Sequence, residues 1–204
     1  MGNLHMTQFL GIVIFLVFYG SYFFKMYTEK KRGISVSRMA LGVKSAETRI
    51  IETFLIFITY GTAIVQALSV IFYDKWELLF VMDSSSAGEA GIILAGALTG
   101  VTGIVFFVLA MRQMKDNWRA GIDESQSTSM VTDGIYKISR NPAFVGFDLF
   151  YIGYGILFSN GLMLLFTILA VLTLHMQIKE EEKYMEKRYG STYQEYRKRV
   201  RRYL

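Results

Sequence analysis

Long runs without a single charged residue constrain this chain more than any other feature. Residues 4–24 precede Lys25. Residues 53–73 lie between Glu52 and Asp74, and residues 90–111 lie between Glu89 and Arg112. A fourth run, 141–178, is broken only by Asp148. The first three runs hold 21, 21 and 22 residues. At about 1.5 Å per residue each reaches just over 30 Å, one bilayer hydrocarbon thickness. A soluble domain interleaves its charges with its apolar residues. Here 19% of residues are charged, yet the mean hydropathy is +0.33, so the two classes are segregated along the chain. The sequence therefore predicts an all-α, polytopic membrane protein.

The fourth run is long enough for two helices. Ser159-Asn160-Gly161 in its middle reads as a turn, which predicts a helical hairpin with arms at 143–158 and 162–178. The expected total is about five transmembrane helices, counting that hairpin. Domain organisation is expected to divide at the end of the third span, with a three-helix membrane region over 1–111 and a functional region over 112–204. Glycines 96, 100 and 103 form a small-residue stripe in the third span, a helix-packing face rather than a nucleotide loop.

Loop charge sets the expected orientation. Residues 25–49 carry seven Lys/Arg and two acids, and 112–140 carry five and four. The tail 179–204 carries nine and five, whereas 74–90 carries one Lys and four acids. Five spans then place the N-terminus outside and the C-terminus in the cytoplasm of a bacterial or archaeal cell. The net charge of +5 lies on the cytoplasmic face, where it meets anionic headgroups; nucleic acid is not an expected partner. The first apolar run is too long for a signal-peptide h-region. An amphipathic piece at 76–81 is expected on the outer interface. Absence of cysteine excludes disulfides, thiolate zinc sites, iron–sulfur ligation and a cysteine nucleophile, and no metal is expected.

Polar groups that converge at the cytoplasmic membrane edge are the candidates for chemistry. The loop 115–122 carries Trp118 and reads first as an ordinary juxtamembrane segment with an interfacial Trp, and second as part of a site. In the segment 130–146, Asp133-Gly134 signals a turn, and Asn141 with the chain's single proline, Pro142, signals a helix start. Free N–H groups there, with Arg140, suit a carboxylate or phosphate; an ordinary cap with a snorkelling Arg is the alternative. Past the hairpin, His175, Ile178, Lys179 and Glu182 share one helical stripe. Glu180-Glu181-Glu182 is an acidic cluster in a basic tail, or a solvated face with Glu180 paired to Lys183. Gly190 reads as a helix stop. Ser191 to Gln194 reads as a capping box that opens a last helix, expected to lie on the cytoplasmic membrane surface with its arginines, Arg202 included. Asp148, two turns into the fourth span, is either a functional group or an interface-depth acid near a helix start.

Taken in order, Gly134-Ile-Tyr136, Arg140-Asn-Pro-Ala-Phe-Val-Gly146, Glu181-Glu182, Tyr189-Gly-Ser-Thr-Tyr193-Gln-Glu-Tyr196 and the closing Arg199-Val-Arg-Arg-Tyr203 resemble the isoprenylcysteine carboxyl methyltransferase and phospholipid methyltransferase families. The resemblance covers about residues 112–204. Those families are integral membrane enzymes that use S-adenosylmethionine. Two positions depart from the family pattern: Asn141 stands in place of a histidine, and Phe144 in place of a tyrosine. The resemblance implies a methyltransferase acting on a lipid-like or hydrophobic acceptor, either a carboxylate or an amine. It implies Arg140, Glu181 and Glu182 as catalytic groups, with Trp118, Gly134, Tyr136, Asn141, Pro142, Phe144 and His175 around the cofactor. Competing readings are a membrane reductase with a nicotinamide cofactor and a non-enzymatic membrane protein or carrier on the same fold.

Overall fold

The computed structural model describes residues 5–34, 36–42, 44–73, 75, 86–122 and 129–204. Its elements are α1 (Met6–Lys31), α2 (Ala46–Ile71), α3 (Ser86–Met114), α4 (Pro142–Phe158), α5 (Gly161–Tyr189) and α6 (Ser191–Arg199). Four of them are long and apolar enough to cross a membrane, and α4 is a shorter apolar helix of 17 residues, about 26 Å at helical rise. Large apolar side chains point outward along these helices: Phe24 is 69% exposed, Phe57 70%, Leu98 59% and Leu172 57%. Such a belt has a suitable solvent only in lipid. The protein is an all-helical, polytopic membrane protein. The segment 76–81, expected at the outer interface, falls outside the described residues.

Cross-contacts sort the helix ends into two sets. At one end Gln8 donates to the Val70 carbonyl, Asn160 Nδ2 donates to Ser69 Oγ, and the Tyr154 hydroxyl donates to the Gly11 carbonyl. At the other end Arg32 pairs with Asp116, Thr48 bonds Glu180, and Arg140 pairs with Glu182. The helices therefore alternate in direction, and the basic loops share the second end.

Glycine decides the closest packing. A Cβ on Gly96 would stand 2.9 Å from the Gly153 carbonyl, one on Gly103 would stand 2.7 Å from the Gly146 carbonyl, and one on Gly146 would stand 2.6 Å from the Phe107 nitrogen. Backbones of α3 and α4 thus touch, and only glycine permits that approach. Gly100 takes part too, against Gly153 on α4 and Ile14 on α1. An aromatic core fills the rest: the ring of Phe18 stacks on Phe150 with centroids 3.7 Å apart, and Phe107 packs on both Phe18 and Phe147.

The hairpin turn has a clear cause. Ser159 ends α4 in the left-handed region (φ 44°), and the Asn160 side chain accepts from the Met163 N–H at 2.8 Å to cap α5. α5 does not stop with the apolar run at residue 178. It continues to Tyr189, because residues 179–189 are mostly Lys, Glu, Met and Arg, strong helix formers. Gly190, with φ 52°, both ends α5 and precedes α6. Ser191 is already helical and no side-chain cap forms, which corrects the expected capping box.

Candidate active site

Pro142 opens α4 with its fixed φ, and Asn141 stands at the cap position. The Asn141 side chain makes no capping bond. Its Nδ2 turns the other way, donating to the Arg202 carbonyl at 3.1 Å and to Glu182 Oε1 at 3.3 Å. Its own backbone N–H is satisfied by Ser139 Oγ at 3.1 Å. Asn141, Ser139 and Glu182 are buried.

Glu182 is the hub. Its Oε1 accepts from Arg140 Nη2 at 2.7 Å and Nε at 3.2 Å, and its Oε2 accepts from Arg202 Nη2 at 2.7 Å and Nε at 3.0 Å. Two guanidiniums therefore grip one carboxylate in the paired geometry that only Arg supplies. The Arg140 and Glu182 side chains are both 8% exposed and that of Arg202 is 32% exposed, so the first pair is buried and the second opens outward. The cluster carries one net positive charge: two Arg less one Glu.

The segment after α6 is not a surface piece. Arg140 donates from its backbone to the Arg201 carbonyl at 2.9 Å and from Nη1 to the Val200 carbonyl at 2.7 Å, and Ser139 Oγ donates to the Arg202 carbonyl at 3.2 Å. Residues 200–202 thus form a strap across the start of α4. This corrects the expectation that Arg202 lies with the other arginines on the membrane surface. Its hydrogen bonds to Glu182 raise the Arg202 pKa further, so its charge is permanent. Tyr196 fixes α6 below the strap by donating to the Tyr136 carbonyl at 2.6 Å. Burial pushes the Tyr196 hydroxyl up to about 12, and burial also raises Tyr136 and Tyr193, so all three stay neutral. Tyr203, next along, hydrogen-bonds His175 Nδ1 on α5 with the two rings stacked 6.0 Å apart.

The three consecutive glutamates have three different surroundings. Glu180 accepts from Thr48 Oγ1 on α2 at 2.6 Å and pairs with Lys183. Glu182 faces Arg140. Glu181 accepts from Gln177 Nε2 at 3.3 Å, and the same Gln177 amide lies 3.4 Å from Glu52 on α2. Glu52 is fully buried. It accepts from the Ala40 N–H at 2.6 Å and the Ile122 N–H at 3.0 Å and pairs with Lys44, tying Ala40, Lys44 and the 118–122 loop to α2. Gly121, at φ 89°, lets that loop pass close enough for this.

Of the residues nominated from sequence, Arg140, Asn141, Pro142 and Glu182 meet in one cluster, with His175 one level deeper on α5. Tyr136 reaches it through Tyr196. Gly134 (φ 62°) turns the chain against Gln113 on α3. Trp118 is 5% exposed and packs edge-on against Tyr22, and Phe144 lies against the same core. Arg202, Ser139 and the strap carbonyls were not nominated.

The family model for phospholipid methyltransferases matches residues 92–192, from α3 through the hairpin to the start of α6. The chain belongs to the phospholipid methyltransferase family. It is also similar to a protein-S-isoprenylcysteine O-methyltransferase of Schizosaccharomyces pombe, 38% identical over 72 residues. That match covers 35% of this chain and 30% of the yeast protein, so it spans under a third of its relative. The family match contains Arg140, Asn141, Glu181 and Glu182, and it ends before Arg202.

Proposed function

We propose that this protein transfers a methyl group from S-adenosylmethionine to a lipid-like or hydrophobic acceptor at the cytoplasmic edge of the membrane, with the N-terminus outside and residues 112–204 carrying the chemistry. The observation that carries this reading is the Arg140–Glu182–Arg202 cluster at the mouth of the hairpin, of which Arg140 and Glu182 lie inside the region that the methyltransferase family model matches.

The donor set suits the cofactor. A net positive pair of guanidiniums at a helix N-terminus favours a carboxylate such as the methionine end of the cofactor. When bound, S-adenosylmethionine supplies an electrophilic methyl group on a sulfonium. Arg202, the more open of the two arginines, contributes the accessible charge. Arg140 is held by Glu182 and by the Arg197 and Val200 carbonyls, so its part is to fix the mouth of the pocket. Asn141 offers its amide where the family pattern has a histidine, which suits hydrogen bonding and not proton uptake. Tyr136 and Phe144 supply flat apolar faces for adenine, with Pro142 and Gly134 setting the backbone around them. Trp118 supports that wall from the core, and His175 lines the deeper side. Glu182 holds the two guanidiniums in register, and Glu181 is anchored beside it by the Gln177 amide. In this arrangement the rate gain comes from positioning and from excluding water around the nucleophile.

Calorimetric titration with S-adenosylhomocysteine tests the reading. Wild type is expected to bind, with Arg140→Ala and Glu182→Gln at least about tenfold weaker, the range for losing a charge-assisted contact. No binding to wild type, or equal binding to the two variants, overturns it.

A further inference from the structure

Asp148 on α4 is seven residues past Asn141, the cap residue of that helix, and Glu182 and His175 are seven residues apart on α5. Seven residues are close to two full turns, so each pair shares one helix face. The two helices run antiparallel, and Asn141 touches Glu182. Asp148 and His175 therefore form a second level, about 10 Å deeper toward the bilayer by helical rise. Tyr203 confirms the juxtaposition. Its hydroxyl bonds His175, and its pKa is raised first by burial and next by the nearby charge of Asp148.

The two levels differ in charge. The outer level holds Arg140, Arg202 and Glu182 and is positive. The inner level holds one acid. Asp148 Oδ1 is buried with no hydrogen-bond partner among the described residues. Tyr203 spends its hydroxyl on His175, and none of the ion pairs described involves Asp148. A buried carboxylate oxygen with no partner is costly unless something supplies the missing charge or donor, and an ionisable group inside a span signals a function.

We propose that Asp148 is the counter-charge for the sulfonium of the methyl donor, so that the donor's carboxylate sits at the Arg202 level and its reactive methyl faces the bilayer at the Asp148 level. This rests on the methyl-donor reading above. The order of charges, positive outside and negative inside, matches a ligand with an anionic end and a cationic reacting atom. It also delivers the methyl group to the side from which a hydrophobic acceptor arrives.

The test compares two ligands that differ only in the methyl group and its positive charge. Wild type and Asp148→Asn, in lipid nanodiscs, are titrated with S-adenosylmethionine and with S-adenosylhomocysteine. Asp148→Asn is expected to weaken S-adenosylmethionine about tenfold or more while leaving S-adenosylhomocysteine within about twofold, since only the first ligand loses a nearby opposite charge. Asp148→Glu, which keeps the charge, is expected to keep the wild-type ratio of the two affinities. An unchanged ratio in Asp148→Asn, or a collapsed ratio in Asp148→Glu, overturns the proposal. Wild type that binds neither ligand overturns the methyl-donor reading itself.

Discussion

Replacing Glu182 by Gln keeps the size and one carbonyl acceptor but removes the charge that two arginines share. The structure sets the scale of the loss. Five donor contacts end on this carboxylate, at 2.7, 2.7, 3.0, 3.2 and 3.3 Å. The Arg140 half is buried, with both side chains 8% exposed, whereas Arg202 is 32% exposed and can turn to water. Breaking a buried pair by removing one partner costs about 3–5 kcal/mol, while an exposed pair is worth about 1 kcal/mol or less. The Arg140 half therefore dominates, and the lower end, about 3 kcal/mol, is expected because Gln still accepts one bond. For a chain of this size each kcal/mol moves the melting temperature by about 2–4 °C, so Glu182→Gln is expected to melt roughly 6–12 °C lower. Thermal unfolding in detergent, followed by tryptophan fluorescence, reads this directly, since Trp118 is buried. Lys183→Gln is the control: Lys183 is 62% exposed and pairs with Glu180 and Glu47, so its melting point is expected within about 2 °C of wild type. A Glu182→Gln protein that melts with wild type refutes the claim that this carboxylate organises the site.

Other consequences follow from packing and topology. Gly153→Ala would place a Cβ 2.6 Å from the Gly100 Cα and 2.7 Å from the Gly96 carbonyl, so a loss of about 1–3 kcal/mol is expected in chemical unfolding. Gly20→Ala on α1 meets nothing within 4 Å and is expected to be neutral or stabilising by up to about 1 kcal/mol. Tyr196→Phe removes the buried bond to the Tyr136 carbonyl and is expected to speed hydrogen exchange in α6 and in residues 134–137, with little change in α2. The chain has no cysteine, so a single Ser191→Cys gives a clean orientation probe. A membrane-impermeant thiol reagent is expected to label it only after the cells are opened, and labelling of intact cells would reverse the proposed topology.

Spans were legible because charge is scarce in lipid: residues 90–111 and the two hairpin arms coincide with helices to within a few residues at most ends. Where the helices outrun the apolar text, the cause at 25–31 and 46–52 is local pairing, and at 179–189 it is the run of strong helix formers. Lys25 meets Glu29, and Glu52 meets Lys44, so charged turns continue a helix beyond the hydrocarbon. Arg140 and Glu182 could be read in advance because two separated motifs flank one hairpin. Arg202 could not, since nothing in a run of basic residues marks which one turns inward; that depends on Val200 leaving the helix and on three carbonyls finding donors at the start of α4. Asn141 was legible as a cap position but not in its contacts, because its amide is turned to donate from Nδ2 to the Glu182 carboxylate and the Arg202 carbonyl and its oxygen accepts from no helix N–H as a cap. The split of Glu180, Glu181 and Glu182 among α2, Gln177 and Arg140 is likewise a matter of which helix stands on each side of α5.

Methyl transfer itself is the most direct test of the central claim. Purified wild type in liposomes made from a total lipid extract is incubated with S-adenosylmethionine labelled on its methyl group, and the lipids and peptides are extracted and read by mass. The account predicts label in a hydrophobic product with wild type and a loss of at least about a hundredfold with Glu182→Gln, the scale of about 3 kcal/mol of lost positioning. No labelled product from wild type, or equal labelling by both proteins, contradicts it.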